Sequence, residues 1–260
     1  MLKGVHVLVT RPVDQSENLS SLIEAQGGIA VRFPTLAIVA MEDKSAIQNT
    51  LAQIDSYQWL VFISANAVTM QGNSADSDKI KKFKSVRIAA IGNATAKALV
   101  NAGWAVDLVA DSGFNSEALL VMPELQQITG QRFLIIRGQG GREELANVLQ
   151  SRGATVDYLD VYKRIIPVSD PSQLKLLLEQ DKLDVITITS GEALQNLLVM
   201  LEKCFQERLF DIPLVVISNR IRQIAAELGF KRIAVAQSPS DSAILETVIM
   251  CVTGGIAWPN

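Results

Sequence analysis

At 260 residues, 48% of them hydrophobic and 20% charged, the chain is long enough to bury one large core or two medium ones without disulfide or metal staples. Lys and Arg number 24 against 27 Asp and Glu, a formal net charge of −3, which argues against a dedicated nucleic-acid binder because that function needs a basic surface. Cys204 and Cys251 lack a CxxC or histidine companion, so neither a disulfide framework nor a zinc site is expected; the start MLKGVHVLVT lacks the apolar core of a signal peptide, and no run approaches the ~18 to 20 apolar residues of a membrane span. The reduced cytoplasm is the expected compartment.

In chain order, short β-branched runs alternate with stretches of helical period. VHVLVT is followed by SENLSSLIEA, WLVFIS by ANAVTM, and RIAAIG by NATAKALVNAG. The second half repeats the alternation with RFLIIRG and REELANVLQSRG, DVITITS and GEALQNLLVMLEK, then PLVVIS and NRIRQIAAELGF. Ser or Asn opens the helical stretches, and Gly27, Gly103, Gly153 and Gly229 close them. Continuous apolar strands between amphipathic helices predict the α/β class, with parallel sheets covered by helices on both faces.

The chain also matches itself. Arg11 and Arg137 lie 126 positions apart, and the same ungapped shift pairs Leu8 with Leu134, Glu17 with Glu143, Gly27 with Gly153, Ser64 with Ser190, Asn93 with Asn219, Gly103 with Gly229 and Ser116 with Ser242. The chain is therefore two copies of one α/β unit, and TRP at 10–12 and IRG at 136–138 are equivalent strand ends. Two long extended segments, AVRFPTLAIVAM and ATVDYLDVYKRIIPV, also correspond, and Pro34 and Pro167 mark interruptions of pairing. If both segments cross between lobes, lobe 1 is 1–34 with 168–260, lobe 2 is 41–160, and 35–40 and 161–167 are linker strands. Two tandem domains divided near Thr129 and Gly130 fit the periodicity equally well.

Ligands of open α/β sheets bind outside the carboxyl ends of the strands, where helix starts present unpaired N–H groups. Arg11 and Arg137 stand there, either toward a ligand or paired with a carboxylate on the following helix such as Glu17 or Glu143. Ser64, Ala65 and Asn66 occupy the same strand-to-helix turn as Ser190 and Gly191; Gly92 and Asn93 correspond to Ser218 and Asn219. These turns are read as carboxylate donors or as ordinary helix caps. Arg142, Arg220 and Arg222 are expected at helix starts, where a cation opposes the helix dipole and an anion nearby would relieve it. GQGGR at 138–142 lacks the Lys-Ser/Thr of a phosphate loop and reads as a flexible turn beside Arg137. His6, the only histidine, falls inside the first strand and reads as buried structure, so hydrolytic triads and metal sites have little support.

LVTRP, FISANAV, AAIGNATAKAL, RFLIIRGQGGREEL, VDYLDVYKR and TITSGEAL together resemble the uroporphyrinogen-III synthase family, from Leu8 to about Ser242. The resemblance implies two α/β lobes joined by a two-stranded linker, with substrate held between them. The reaction it implies is cyclisation of hydroxymethylbilane, a linear tetrapyrrole with eight carboxylates, to uroporphyrinogen III, with inversion of the last ring and loss of water. It also implies no cofactor and no metal, a cytoplasmic monomer, no nucleic-acid or membrane partner, and a transient contact with the preceding enzyme of the pathway. On this reading Arg11, Ser64, Ala65, Asn66, Arg137, Gly138, Arg142, Ser190, Gly191, Ser218 and Arg220 bind substrate. Tyr162 is the residue of the chemical step: a phenol, ordinarily ionising near ~10, keeps its proton at neutral pH and can donate to a departing hydroxyl. Lys163 or Arg164, on alternate sides of the strand, would share the site. The C-terminal GGIAWPN matches no family stretch and is expected to be a surface tail. A two-lobed sensor of an anionic small molecule is the alternative from another functional class.

Overall fold

The computed structural model describes residues 1–71, 86–110, 116–141 and 143–258. Among them the strands are β1 (His6–Val9), β2 (Ile29–Arg32), β3 (Ala37–Ala40), β4 (Trp59–Phe62), β5 (Arg87–Ala90), β6 (Leu108–Val109), β7 (Arg132–Gly138), β8 (Thr155–Ile165), β9 (Val185–Ile188), β10 (Leu214–Val216) and β11 (Ile233–Val235). The helices are α1 (Val13–Ala25), α2 (Lys44–Ala52), α3 (Ala65–Gln71), α4 (Asn93–Asn101), α5 (Ser116–Leu120), α6 (Glu144–Ser151), α7 (Ser172–Glu179), α8 (Gly191–Val199), α9 (Lys203–Leu209), α10 (Asn219–Glu227) and α11 (Asp241–Thr253). The chain divides into two units: Met1–Ala37 with Ile165–Asn260, and Ile38–Arg164. The point between Thr129 and Gly130 falls inside the second unit.

In the first unit the strand order is β11-β10-β9-β1-β2, and neighbouring strands run parallel. Its central strand β9 is buried at every residue, as expected of a sheet covered on both sides. Pleating sends alternate side chains to opposite layers. Leu8 packs with Leu174, Leu194 and Ile221 on one face, while Val7 and Val9 pack with Leu19, Ile23, Ile244 and Val248 on the other. Helices α7, α8 and α10 thus cover one face, and α1 and α11 the other.

The second unit has the order β3-β8-β7-β4-β5-β6, with β4 buried throughout. Strands β8, β7, β4, β5 and β6 run parallel. Leu60, Phe62, Leu134 and Ile136 pack with Val68 of α3 and Leu99 of α4; Trp59, Val61, Phe133 and Ile135 pack with Leu119 of α5 and Leu149 of α6.

The internal repeat explains both strand orders. A shift of 126 carries β1 and β2 onto the first parts of β7 and β8, β4 onto β9, and β5 and β6 onto β10 and β11 within a residue. The first sheet nevertheless joins β1 and β2 of the first copy to β9, β10 and β11 of the second, and the second sheet makes the reciprocal exchange. Each unit is a composite of both copies.

The described part of the C-terminal stretch lies at the surface, with Gly254, Gly255 and Ala257 exposed, but it is anchored there: Gly254, at φ 78, ends α11 in the left-handed conformation, and the half-buried Ile256 and Trp258 fold back against the layer formed by α1 and α11. An indole and a branched aliphatic chain gain more by covering that layer than by remaining in water.

Candidate active site

The carboxyl ends of the parallel strands form one edge of each sheet, and the residues singled out from sequence emerge along these edges. In the first unit Arg11 follows β1, Ser190 follows β9 and Ser218 lies just beyond β10. Arg11 forms an ion pair with Asp241, the first residue of α11, and Asn18 of α1 donates its side-chain amide to the other Asp241 oxygen at 2.5 Å. The carboxylate partner is therefore on the last helix and not on the helix that follows the arginine; Glu17 instead accepts from Arg32 at 2.8 Å. Sequence reasoning missed Asp241, although its place right after Ser240, which caps α11, was a readable signal of a carboxylate at a helix start.

Ser190 and Ser218 cap α8 and α10: Ser190 Oγ accepts from the Ala193 N–H at 3.0 Å, and Ser218 Oγ from the Ile221 N–H at 3.4 Å. Capping uses an acceptor lone pair and leaves each hydroxyl proton for donation, so both remain competent toward an anion. A Cβ at Gly191 would lie 2.9 Å from Ile224 Cδ1, the mobile end of that side chain, so Gly191 lets α8 and α10 pack without a shift of Ile224. Arg220 and Arg222 are exposed on α10, with no ion pair among the described residues.

In the second unit Arg137, only 8% exposed, donates from Nε to Asp160 at 2.9 Å and stacks its guanidinium on Tyr158, 3.6 Å from the ring centroid. Burial pushes the Tyr158 phenol up, against the opposing pull of Arg137. Tyr158 and Asp160, on β8, were not singled out from sequence. Arg142 lies outside the described residues.

Next to this pair the ladder between β7 and β8 is irregular. Arg137 stands opposite Asp160, but Gly138 stands opposite Tyr162, so Val161 is an extra residue on β8. A bulge of this kind resets the alternation of side chains. Val156 and Tyr158 pack in one layer, Leu159 and Val161 in the other; strict alternation would place Tyr162 with Tyr158, and it packs instead with Leu159 and Val161. Its ring packs directly against Gly138, where a Cβ would come within 2.3 Å of Tyr162 Cε2. Tyr162 is 7% exposed, and its Oη lies 3.1 Å from Ser64 Oγ. Ser64 Oγ also accepts from the Ala67 N–H at 3.1 Å, which opens α3 together with Ala65 and Asn66. The structure thus brings Ser64, Gly138 and Tyr162 into one cluster, with Arg137 adjoining it through Gly138.

Lys163 pairs with Glu42 at 2.8 Å; that hydrogen bond and its charge lower the Glu42 pKa. Asn93 starts α4 and, with Ile91, Gly92, Ala94 and Thr95, lines an open depression of about 330 Å³. His6 is only partly buried, and its backbone N–H donates to Asp184 at 2.8 Å. Among the described residues no group of three His, Cys, Asp or Glu is placed to hold a metal, and no helix is long and apolar enough to cross a membrane.

Comparison with known proteins bears on the chain as a whole. The family model described as uroporphyrinogen-III synthase HemD matches residues 17–246. The uroporphyrinogen-III synthase of Salmonella typhimurium is 33% identical over 244 residues, covering 93% of this chain and 99% of the relative; that of Escherichia coli is 31% identical over 243 residues, covering 93% and 99%. Crystal structures of a mutant Thermus thermophilus uroporphyrinogen III synthase and of the Helicobacter pylori enzyme superpose with TM-scores of 0.66 and 0.60, each at 18% identity and covering 96% of this chain and 99% of that chain, which speaks for the fold. With a family model spanning most of both units and relatives matched over nearly their whole length, the chain belongs to the uroporphyrinogen-III synthase family.

Proposed function

We propose that this chain cyclises hydroxymethylbilane to uroporphyrinogen III in tetrapyrrole biosynthesis, with Tyr162 as the catalytic residue and the strand-end residues as substrate donors. The family match over residues 17–246 carries the reaction, and it favours an enzyme over a non-enzymatic anion sensor. The substrate's carboxylates suit the hydroxyls of Ser190 and Ser218, the N–H groups of the turns that Ser64, Ser190 and Ser218 open, and the exposed guanidinium of Arg220. Arg11 and Arg137 are already held by Asp241 and Asp160, so they meet a substrate carboxylate with their remaining N–H groups or set the local field.

Loss of the hydroxyl breaks a C–O bond. The pyrrole nitrogen's electron pair moves into the ring as a C=N bond and displaces ring π electrons into the new exocyclic C=C bond, and a proton from the Tyr162 phenol turns the departing hydroxide into water. The pyrrole N–H then returns a proton to the phenolate, leaving a neutral azafulvene. This electrophile can also close unaided to the uninverted isomer, so the protein has to direct as well as accelerate. Fixing the flexible chain so that the substituted carbon of the last ring attacks is a positioning task, and such tasks are worth several kcal/mol in favourable intramolecular cases.

The test is the rate at which enzymatically generated hydroxymethylbilane disappears. The wild-type protein should exceed the spontaneous rate. Tyr162→Phe keeps the ring over Gly138 and loses the donor, so kcat should fall by roughly 100-fold or less while KM changes little, the pattern of an interaction made mainly in the transition state. A Phe variant with wild-type kcat removes Tyr162 from the mechanism.

A further inference from the structure

The geometry points to Ser64 and Gly138 as positioning residues for Tyr162: Gly138 sets where the ring lies, and Ser64 donates its hydroxyl proton to the phenol oxygen, so that the phenol's own proton faces outward. The proposal deepens the reading of Tyr162 as the catalytic residue and rests on it.

Three observations carry it. Gly138 does not need a left-handed backbone, since its φ is absent from the positive range that Gly130, Gly140 and Gly153 occupy; what it supplies is space. A Cβ there would lie 2.3, 2.4 and 2.9 Å from three atoms of the Tyr162 ring, so no other residue permits this ring position. Second, the extra residue on β8 turns Tyr162 to the face on which Ser64 stands. Third, Ser64 Oγ already accepts the Ala67 N–H, and that bond polarises the hydroxyl and strengthens it as a donor. With Ser64 as donor over the 3.1 Å contact, the phenol oxygen accepts one bond and keeps its proton for the substrate. With the opposite polarity the proton would be spent on Ser64.

The repeat supports a role beyond capping. The cap itself is duplicated, as Ser64 and Ser190, whereas the positions equivalent to Gly138 and Tyr162 are Pro12 and Leu36. In the second unit Tyr162 of one copy stands beside the cap serine Ser64 of the other, whereas the first unit carries Leu36 at the position equivalent to Tyr162, so the hydroxyl contact is an addition to an inherited helix start.

The experiment is a double-mutant comparison of kcat and KM on hydroxymethylbilane, with thermal unfolding recorded for every variant. Ser64→Ala should lower kcat about tenfold, as loss of a hydrogen bond to developing charge does, with KM little changed. In the Tyr162→Phe background the same substitution should lower kcat by much less than tenfold. Ser64→Thr keeps the donor and should recover most of the rate. Gly138→Ala should displace the ring and slow the tyrosine enzyme by a larger factor than it slows the Phe variant, which has no donor to misplace; if it does not fold, the serine pair decides alone. Equal losses from Ser64→Ala in both backgrounds would overturn the proposal and assign Ser64 to the substrate directly, with Tyr162 untouched. A Thr variant as slow as Ala also overturns it. Wild-type kcat for Tyr162→Phe overturns it together with the Tyr162 reading, and that single variant separates the two failures.

Discussion

Arg11 and Arg137 are the same residue of two copies, yet they are held differently. Arg11 meets a carboxylate from the last helix, and Arg137 meets one from the adjacent strand, at a position where the first copy has Pro34. The arginines were legible in sequence because the repeat exposes them. Their partners were not, because each pairing depends on which elements the fold brings together. Arg137 is the more constrained, with its guanidinium between the Asp160 carboxylate and the Tyr158 ring. Truncating it strands a partly buried carboxylate and removes a cation–π contact, which we expect to cost about 2 to 4 kcal/mol of stability. Chemical denaturation of Arg137→Ala checks this; an unfolding midpoint equal to that of the wild type would show that the pair is only a surface contact.

At the scale of elements, helix burial separates the two cysteines. Cys204 lies on the exposed start of α9, whereas Cys251 faces the core from α11. Burial pushes the Cys251 thiol up to about 11. A raised thiol pKa leaves less thiolate at pH 8, and thiolate is the reactive form. A thiol reagent at pH 8 should therefore modify Cys204 quickly in the native protein and Cys251 only after denaturation; two fast thiols in the native state would contradict this placement. The strands and helices themselves were readable from periodicity, since runs such as WLVF and VITI are too apolar for a half-exposed sheet. The bulge was not readable. VDYLDVYKR alternates in a way that predicts Tyr162 beside Tyr158, and only the register against Gly138 shows the tyrosine turned to the other face. The anchoring of the C-terminal stretch was not readable for a related reason: half-buried Trp258 packs on a layer that includes α1, at the far end of the sequence.

For the molecule as a whole, the exchange of strands between copies has a consequence for autonomy. A fragment of residues 1–129 contains one complete sequence repeat but has β1 and β2 without β9, and β4 without β7. Both sheets would lose central pairings and expose buried strands, so the fragment should show no cooperative thermal transition. Residues 38–164 contain nearly all of the second sheet and the helices on both its faces, and should unfold cooperatively as a separate domain. Circular dichroism melts of the two fragments distinguish the cases, and a cooperative transition for 1–129 would contradict the exchanged topology.

The central claim is that this chain both closes hydroxymethylbilane and decides which isomer results. The most direct measurement is to incubate the purified protein with hydroxymethylbilane as it is generated, oxidise the products and resolve the type I and type III isomers chromatographically, alongside a protein-free control. Type III should dominate with the wild-type protein, and Tyr162→Phe should release type III more slowly, with type I growing only from substrate that closes in solution. An isomer ratio with wild-type protein equal to that of the control would contradict the account.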